Sequence, residues 1–108
     1  MFQKKDYIFS EALGVCRVDD VTKISMRVGE TPLYYVLRSH FHKSKVSYIP
    51  VENHQVTLRA LRSEEEIREL LKQTEAKDLP ELALEEAAYV LGTTVQALLG
   101  ETEEEEEA

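Results

Sequence analysis

From Asp6 to Leu61 the apolar residues recur mostly at every second position or in short β-branched and aromatic runs, the mark of extended strands with one buried face. Five strands are expected. Asp6 to Ser10 leads through Glu11-Ala12-Leu13-Gly14 into Val15 to Lys23, where Cys16, Val18 and Asp20 alternate with Val15, Arg17 and Asp19. Gly14 suits the tight reversal between them because it tolerates positive φ. A polar stretch around Arg27 to Thr31, with Gly29-Glu30 at its tip, precedes Leu33 to Ser39, the segment of highest strand propensity. The two long strands read as a hairpin. Lys45 to Ile49 is stopped by Pro50, which has no N–H for a ladder, and Val51 to His54 turns the chain into a last strand, Gln55 to Leu61.

The period changes at Ser63. Ser63-Glu64-Glu65-Glu66 has the form of a capping box, and Ile67, Leu70 and Leu71 then make one apolar stripe, so Glu64 to Gln73 is predicted helical. Asp78-Leu79-Pro80-Glu81 repeats the start signal, with Asp78 as N-cap, for a second helix from about Pro80 to Leu91. Gly92 ends it, and Thr93 or Thr94 opens a third, short helix through Leu99 that Gly100 closes. Together these elements predict an α+β chain: an N-terminal SH3/Tudor-like, five-stranded antiparallel half-barrel followed by two or three short C-terminal helices. The expected organisation is a β module over 1–62, a helical appendage over 63–100 and a disordered acidic tail over 101–108. An incompletely closed sheet keeps an edge, and a partner's strand can pair with it.

Charge sharpens this division. Residues 1–62 carry ten Lys or Arg against six Asp or Glu, a balance of +4, whereas residues 63–108 carry three against fifteen, a balance of −12. Proteins that grip nucleic acid neutralise phosphates with cations, so the helical half has the wrong sign for that role. Cys16 is the one cysteine, so neither an internal disulfide nor a cysteine metal site can form, and a packed, reduced thiol is expected. No apolar run approaches the roughly 20 residues needed to span a bilayer, and Met1-Phe2-Gln3-Lys4-Lys5 lacks the core of a signal peptide, which together predict a cytoplasmic location.

Candidate chemistry is sparse. His40-Phe41-His42 places two imidazoles two apart, yet no third ligand stands at a helpful offset, so solvated loop histidines are expected and no metal. There is no nucleophile with an ordered base and no glycine-rich phosphate loop, so neither catalysis nor a cofactor is expected. Leu84 to Gly100 looks like the last two helices of a repressor-type helix-turn-helix, but the recognition helix that should precede them is missing. The plainer reading has Leu82, Ala83, Ala87, Val90, Leu91, Val95, Leu98 and Leu99 burying against one another, against the sheet, or in a homodimer.

Five segments in order carry a family resemblance: Lys5-Asp6-Tyr7-Ile8-Phe9, Gly14-Val15-Cys16-Arg17-Val18, Tyr34-Tyr35-Val36-Leu37-Arg38, Ile49-Pro50-Val51-Glu52-Asn53 and Leu58-Arg59-Ala60-Leu61. Over residues 2 to about 62 the chain resembles the RNA polymerase interacting domain shared by CarD-type transcription regulators and the transcription-repair coupling factor. It departs where Lys5 replaces a first-strand glycine, where Ser10-Glu11 replaces a Tyr-Pro region, and where Ala60 replaces the closing proline. The resemblance implies a non-enzymatic, bacterial Tudor-like module that binds the lobe of the polymerase β subunit. It puts the contacts at the end of the second strand and on the strand before the Pro50-Val51-Glu52-Asn53 turn, which here are Lys23, Ile24, Arg27 and Tyr48. The hairpin tip holds one extra residue relative to the family, which leaves open whether Lys23, Ile24 or Ser25 takes the contact position.

CarD proteins follow this module with a basic helical domain that wedges an aromatic residue, usually Trp, into promoter DNA. This chain has no Trp and its helices are acidic, so the resemblance implies contact with polymerase and with DNA only through it. A generic SH3-like interaction module with an unrelated partner is the competing reading.

Overall fold

Alternation carries the first half of the chain into a single sheet. In the computed structural model, which describes residues 1–24, 29, 32–52 and 54–100, the strands are β1 (Tyr7–Ser10), β2 (Gly14–Lys23), β3 (Leu33–Ser39), β4 (Val46–Pro50) and β5 (Leu58–Ala60). All pairs are antiparallel, in the order β4-β3-β2-β1-β5. This is the α+β half-barrel that the hydrophobic pattern predicts. By contacts the chain divides into two units, Met1–Ala60 and the part from Leu61 onward.

The first unit is organised by the inward positions of the strands. Ile8, Cys16, Val18, Tyr35, Leu37 and Ile49 form the buried cluster, and Phe2, Leu13, Val21, Val51, Val56 and Leu58 pack around it. Each large aliphatic buried here contributes about 1.5–3 kcal/mol by leaving water. The Cys16 thiol is fully enclosed, and burial pushes its pKa up to about 12, so it is a packing group rather than a nucleophile. Phe2 docks its ring 5.9 Å from that of Tyr35 and donates its N–H to the Tyr35 hydroxyl at 3.1 Å, which fixes the N-terminus to β3. Two buried serines serve turns: Ser10 Oγ accepts from the N–H groups of Ala12 and Leu13, and Ser39 Oγ accepts from His42. Between β1 and β2, Gly14 has φ +77°, a region that side chains disfavour.

One departure from strict alternation governs the outer face. Val18 and Val21, three residues apart, both turn inward, which a regular strand cannot do. The ladder between β2 and β3 therefore shifts between Val18 and Asp20, with Val18 opposite Leu37 and Asp20 opposite Val36, leaving Asp19 as the extra residue of a β-bulge. Asp19 and Asp20 consequently both lie on the outer side, where plain alternation would have sent Asp20 inward. At the other end of the sheet, β5 is shorter than the expected Gln55 to Leu61. His54 and Val56 close a local turn through the His54 Nδ1 to Val56 O contact at 2.8 Å, and Glu11 ties Thr57 to the β1–β2 turn instead.

The second unit holds three helices, α1 (Glu64–Gln73), α2 (Glu81–Leu91) and α3 (Val95–Leu99). The Ser63 capping box forms as expected: Ser63 Oγ accepts from Glu66 N at 3.1 Å, and Glu66 Oε1 accepts from Ser63 N at 2.8 Å. Gly92 caps α2 in the left-handed region at φ +73°, and Thr94 caps α3 by accepting from Ala97 N. Asp78 does not cap α2. It ends a short 3-10 turn, Ala76–Asp78, and Pro80 takes the cap position, where its missing N–H costs no hydrogen bond.

Glu86 lies fully buried on α2. Its two oxygens accept from the Arg62 guanidinium at 2.7 Å and from the Arg62 backbone N–H at 2.9 Å. A carboxylate enclosed in this way is tolerated because its charge is met by that cation. The contact clamps the segment entering α1 onto α2. No helix among the described residues is long and apolar enough to cross a membrane.

Candidate protein interface

In the sheet order, β4 pairs on one side with β3 and has no neighbour among the described residues on the other. Two hydrogen bonds fix which backbone groups face which way. Ser39 N donates to Lys45 O at 3.0 Å and Val51 N to Leu33 O at 2.9 Å, so the Lys45 carbonyl, the amides and carbonyls of Ser47 and Ile49, and the Val51 amide point toward β3, while the Lys45 amide donates to His42 O within the loop. Val46, Tyr48 and Pro50 therefore turn theirs outward. The free edge offers the N–H and C=O of Val46 and Tyr48 and the carbonyl of Pro50. Pro50, expected to stop the strand, is instead its last residue, because its missing N–H falls on the unpaired side.

The side chain of Tyr48 stands on the outer face of this edge and is 60 % exposed. In register it lies opposite Val36, which lies opposite Asp20, while the next outer row joins Pro50, Tyr34 and Thr22. The half-buried Val46, Val36, Tyr34 and Pro50 thus back Tyr48 with an apolar surface beside unsatisfied backbone groups. Past Pro50, a cleft of about 330 Å3 opens between Met1, Pro32, Leu33, Pro50, Val51 and Glu52.

The residues named from sequence do not all meet on this face. Ile24 donates its N–H to Pro32 O at 3.1 Å, and alternation after the bulge puts it with Thr22 on the outer side that Tyr48 shares. Lys23 pairs with Leu33 and has the inward parity; it is exposed beyond the end of the core, on the opposite face from Tyr48. Arg27 and Ser25 lie outside the described residues. Sequence reasoning passed over Val46 and Pro50. The signal for them was present in the alternation of β4, which assigns every second residue from Val46 to the outer, edge-facing set.

A second outer row crosses four strands: Tyr7, Arg17, Arg38 and Val46 stand in register. Two arginines directly opposite each other repel, and the bulged Asp19 resolves the conflict by taking Arg17 Nε at 2.7 Å and Arg38 Nε at 2.8 Å. Hydrogen bonding to Arg38, ahead of the contribution of Arg17, holds the Asp19 pKa below its usual range. Arg38 also donates to Lys43 O at 2.7 Å, which fixes the β3–β4 loop. In that loop the His40 ring packs edge-on against Tyr7 at 5.8 Å and against Phe41 at 4.9 Å, and burial, then the Lys43 charge, depresses its pKa. His40 and His54 are thus engaged in local packing and turn contacts.

The family model of the CarD-like/TRCF RID domain matches residues 2–62. No curated protein matches the chain. The match covers the sheet and the edge described above, and the domains of this family are protein-interaction modules that engage RNA polymerase. With more than half of its length inside that match, this chain belongs to the CarD-like/TRCF RID domain family.

Proposed function

We propose that the chain is a transcription regulator that docks on the lobe of the RNA polymerase β subunit, with a strand of the lobe pairing along the free edge of β4. The observation that carries this reading is the open edge at Val46 and Tyr48, topped by an exposed tyrosine. Backbone pairing supplies affinity in such strand addition, and alternate side chains supply specificity. Tyr48 buries a large ring at low entropic cost and is the natural anchor. Ile24 extends the same face, whereas Lys23, on the other face, and Arg27 act as flanking cations that steer the approach. The helical unit, with its acidic balance and no Trp, gives no grip on promoter DNA, so the polymerase brings the chain to DNA. Self-association through the helices is compatible with this role and is not needed for it.

The test is a titration of the full chain against an isolated β-lobe fragment. Tyr48→Ala and Ile24→Glu should each weaken binding by about tenfold or more, the loss typical of an anchor side chain. Lys23→Glu should change affinity by about threefold or less and act mainly on the association rate. Lack of saturable binding to the lobe, or indifference to both Tyr48→Ala and Ile24→Glu, would favour an SH3-like module with an unrelated partner.

A further inference from the structure

The free edge of β4 has an internal order that suits a second copy of itself. Val46 and Tyr48 each present an N–H and a C=O outward and Pro50 presents a C=O, while Ser47 and Ile49 between them are committed to β3. Laid antiparallel against an identical edge, with a twofold axis through Ser47 and normal to the sheet, Val46 of each copy stands opposite Tyr48 of the other. Each such pair exchanges both of its N–H to C=O bonds. Every outward donor of the strand is then satisfied, and the Pro50 carbonyl stays in water at the strand end. Moving the axis to Tyr48 instead sets the Pro50 ring, in place of a donor, against the Val46 carbonyl in both copies. The proline thus selects the register.

We propose that free copies of the chain pair edge to edge through β4 as a twofold homodimer. Across the outer face each exposed Tyr48 packs on the half-buried Val46 of the other copy, an aromatic against a β-branched side chain, which is a favourable cross-strand pair. Val46-Ser47-Tyr48-Ile49-Pro50 carries no charge, so it lacks the lysines that guard many edges against such pairing. Charge lies instead at the two ends and is of opposite sign: Lys43 and Lys45, both exposed, precede the strand, and the exposed Glu52 follows it. Antiparallel pairing lays the basic end of one copy beside the acidic end of the other. The contact is short, so the dimer is weak and falls apart on dilution. It covers the same backbone groups that the β lobe is proposed to take. Competition between dimer and lobe therefore rests on that docking reading, whereas the dimer itself does not.

Disulfide trapping on the full chain tests the register. The two copies of Ser47 meet on the axis as a non-hydrogen-bonded pair with Cα atoms about 4.5 Å apart, a separation that a disulfide spans. The two copies of Val46 lie about 8 Å apart, which it does not. Under copper phenanthroline, Ser47→Cys should therefore form a covalent dimer at least about tenfold faster than Val46→Cys. Cys16 is fully buried and takes no part. In sedimentation equilibrium the unmodified chain should pass from dimer toward monomer between about 500 and about 5 µM, and Tyr48→Pro should be monomeric throughout. A monomeric unmodified chain at about 500 µM, or equal trapping at both positions, would overturn the proposal. A dimer that persists in Tyr48→Pro would overturn it too, and would assign self-association to the helices. Saturating β-lobe fragment should slow the Ser47→Cys trapping by about tenfold or more. Undiminished trapping with the lobe bound would overturn the shared edge, whereas a lobe that does not bind counts against docking alone and leaves the dimer to be decided by the trapping rates.

Discussion

Replacing Glu86 by alanine is expected to cost the helical unit about 3 kcal/mol, the largest loss foreseen for any polar side chain in that unit. The carboxylate is fully enclosed and takes both the guanidinium and the backbone N–H of Arg62. Its removal opens a cavity and strips an acceptor from the Arg62 amide, two residues before α1. Arg62 is 38 % exposed at its side chain, so its guanidinium regains water and the full penalty of a stranded buried ion is not reached. Glu86→Gln keeps the volume but brings an amide donor toward a donor pair, and its loss should be intermediate. The exposed pair of Lys77 and Glu75, 3.5 Å apart, provides the contrast: Lys77→Ala should shift stability by less than about 0.5 kcal/mol. Urea unfolding followed by helical circular dichroism reads all three variants. Equal stabilities for Glu86→Ala and Lys77→Ala would show that the buried contact holds nothing together.

The second large effect concerns the edge itself. Tyr48→Pro should abolish detectable docking on the β lobe, a loss of about a hundredfold or more, because it removes both the anchor ring and the central N–H donor of β4. Within the sheet the substitution costs little. The Tyr48 amide, like the position of Pro50 two residues on, faces away from β3 and takes no part in the ladder. Ser47→Pro supplies the opposite case, since the Ser47 amide points toward β3 and its loss should unfold the edge strand. Melting temperature and binding measured on both variants separate a lost contact from a lost fold. Retained affinity in a folded Tyr48→Pro chain would remove strand addition at this edge from the account.

How far the fold could be read from sequence depended on whether a residue's neighbours were local. The strands and α1 were legible because period-two and period-3.6 patterns are set within a few residues, and the capping box of Ser63 and Glu66 is wholly local. The helix span from about Pro80 to Leu91 holds, but its capping residue is Pro80 and not Asp78, because the two carry competing start signals and the chain uses Asp78 to finish a 3-10 turn. The bulge was missed because alternation was carried straight through Asp19 and Asp20, although the inward Val18 and Val21 are spaced three apart. That single extra residue decides the candidate site: it puts Ile24 with Tyr48 and leaves Lys23 on the other face. The Arg62 to Glu86 contact spans 24 residues and had no sequence signal at all, since a glutamate on a helix ordinarily reads as solvent-facing. The pairing of Arg17 with Arg38 depends likewise on register across two strands, which the hairpin assignment alone does not set.

The rim of the sheet along β4 bears the weight of the functional account, and amide hydrogen exchange on the full chain interrogates it residue by residue. In the free protein the Val46 and Tyr48 amides should exchange fast while Ser47 and Ile49, bonded to β3, are protected. Saturation with the β-lobe fragment should slow Val46 and Tyr48 by about a hundredfold or more, with Ser47 and Ile49 unchanged. Saturable binding that leaves Val46 and Tyr48 exchanging at their free rates would contradict pairing at this rim.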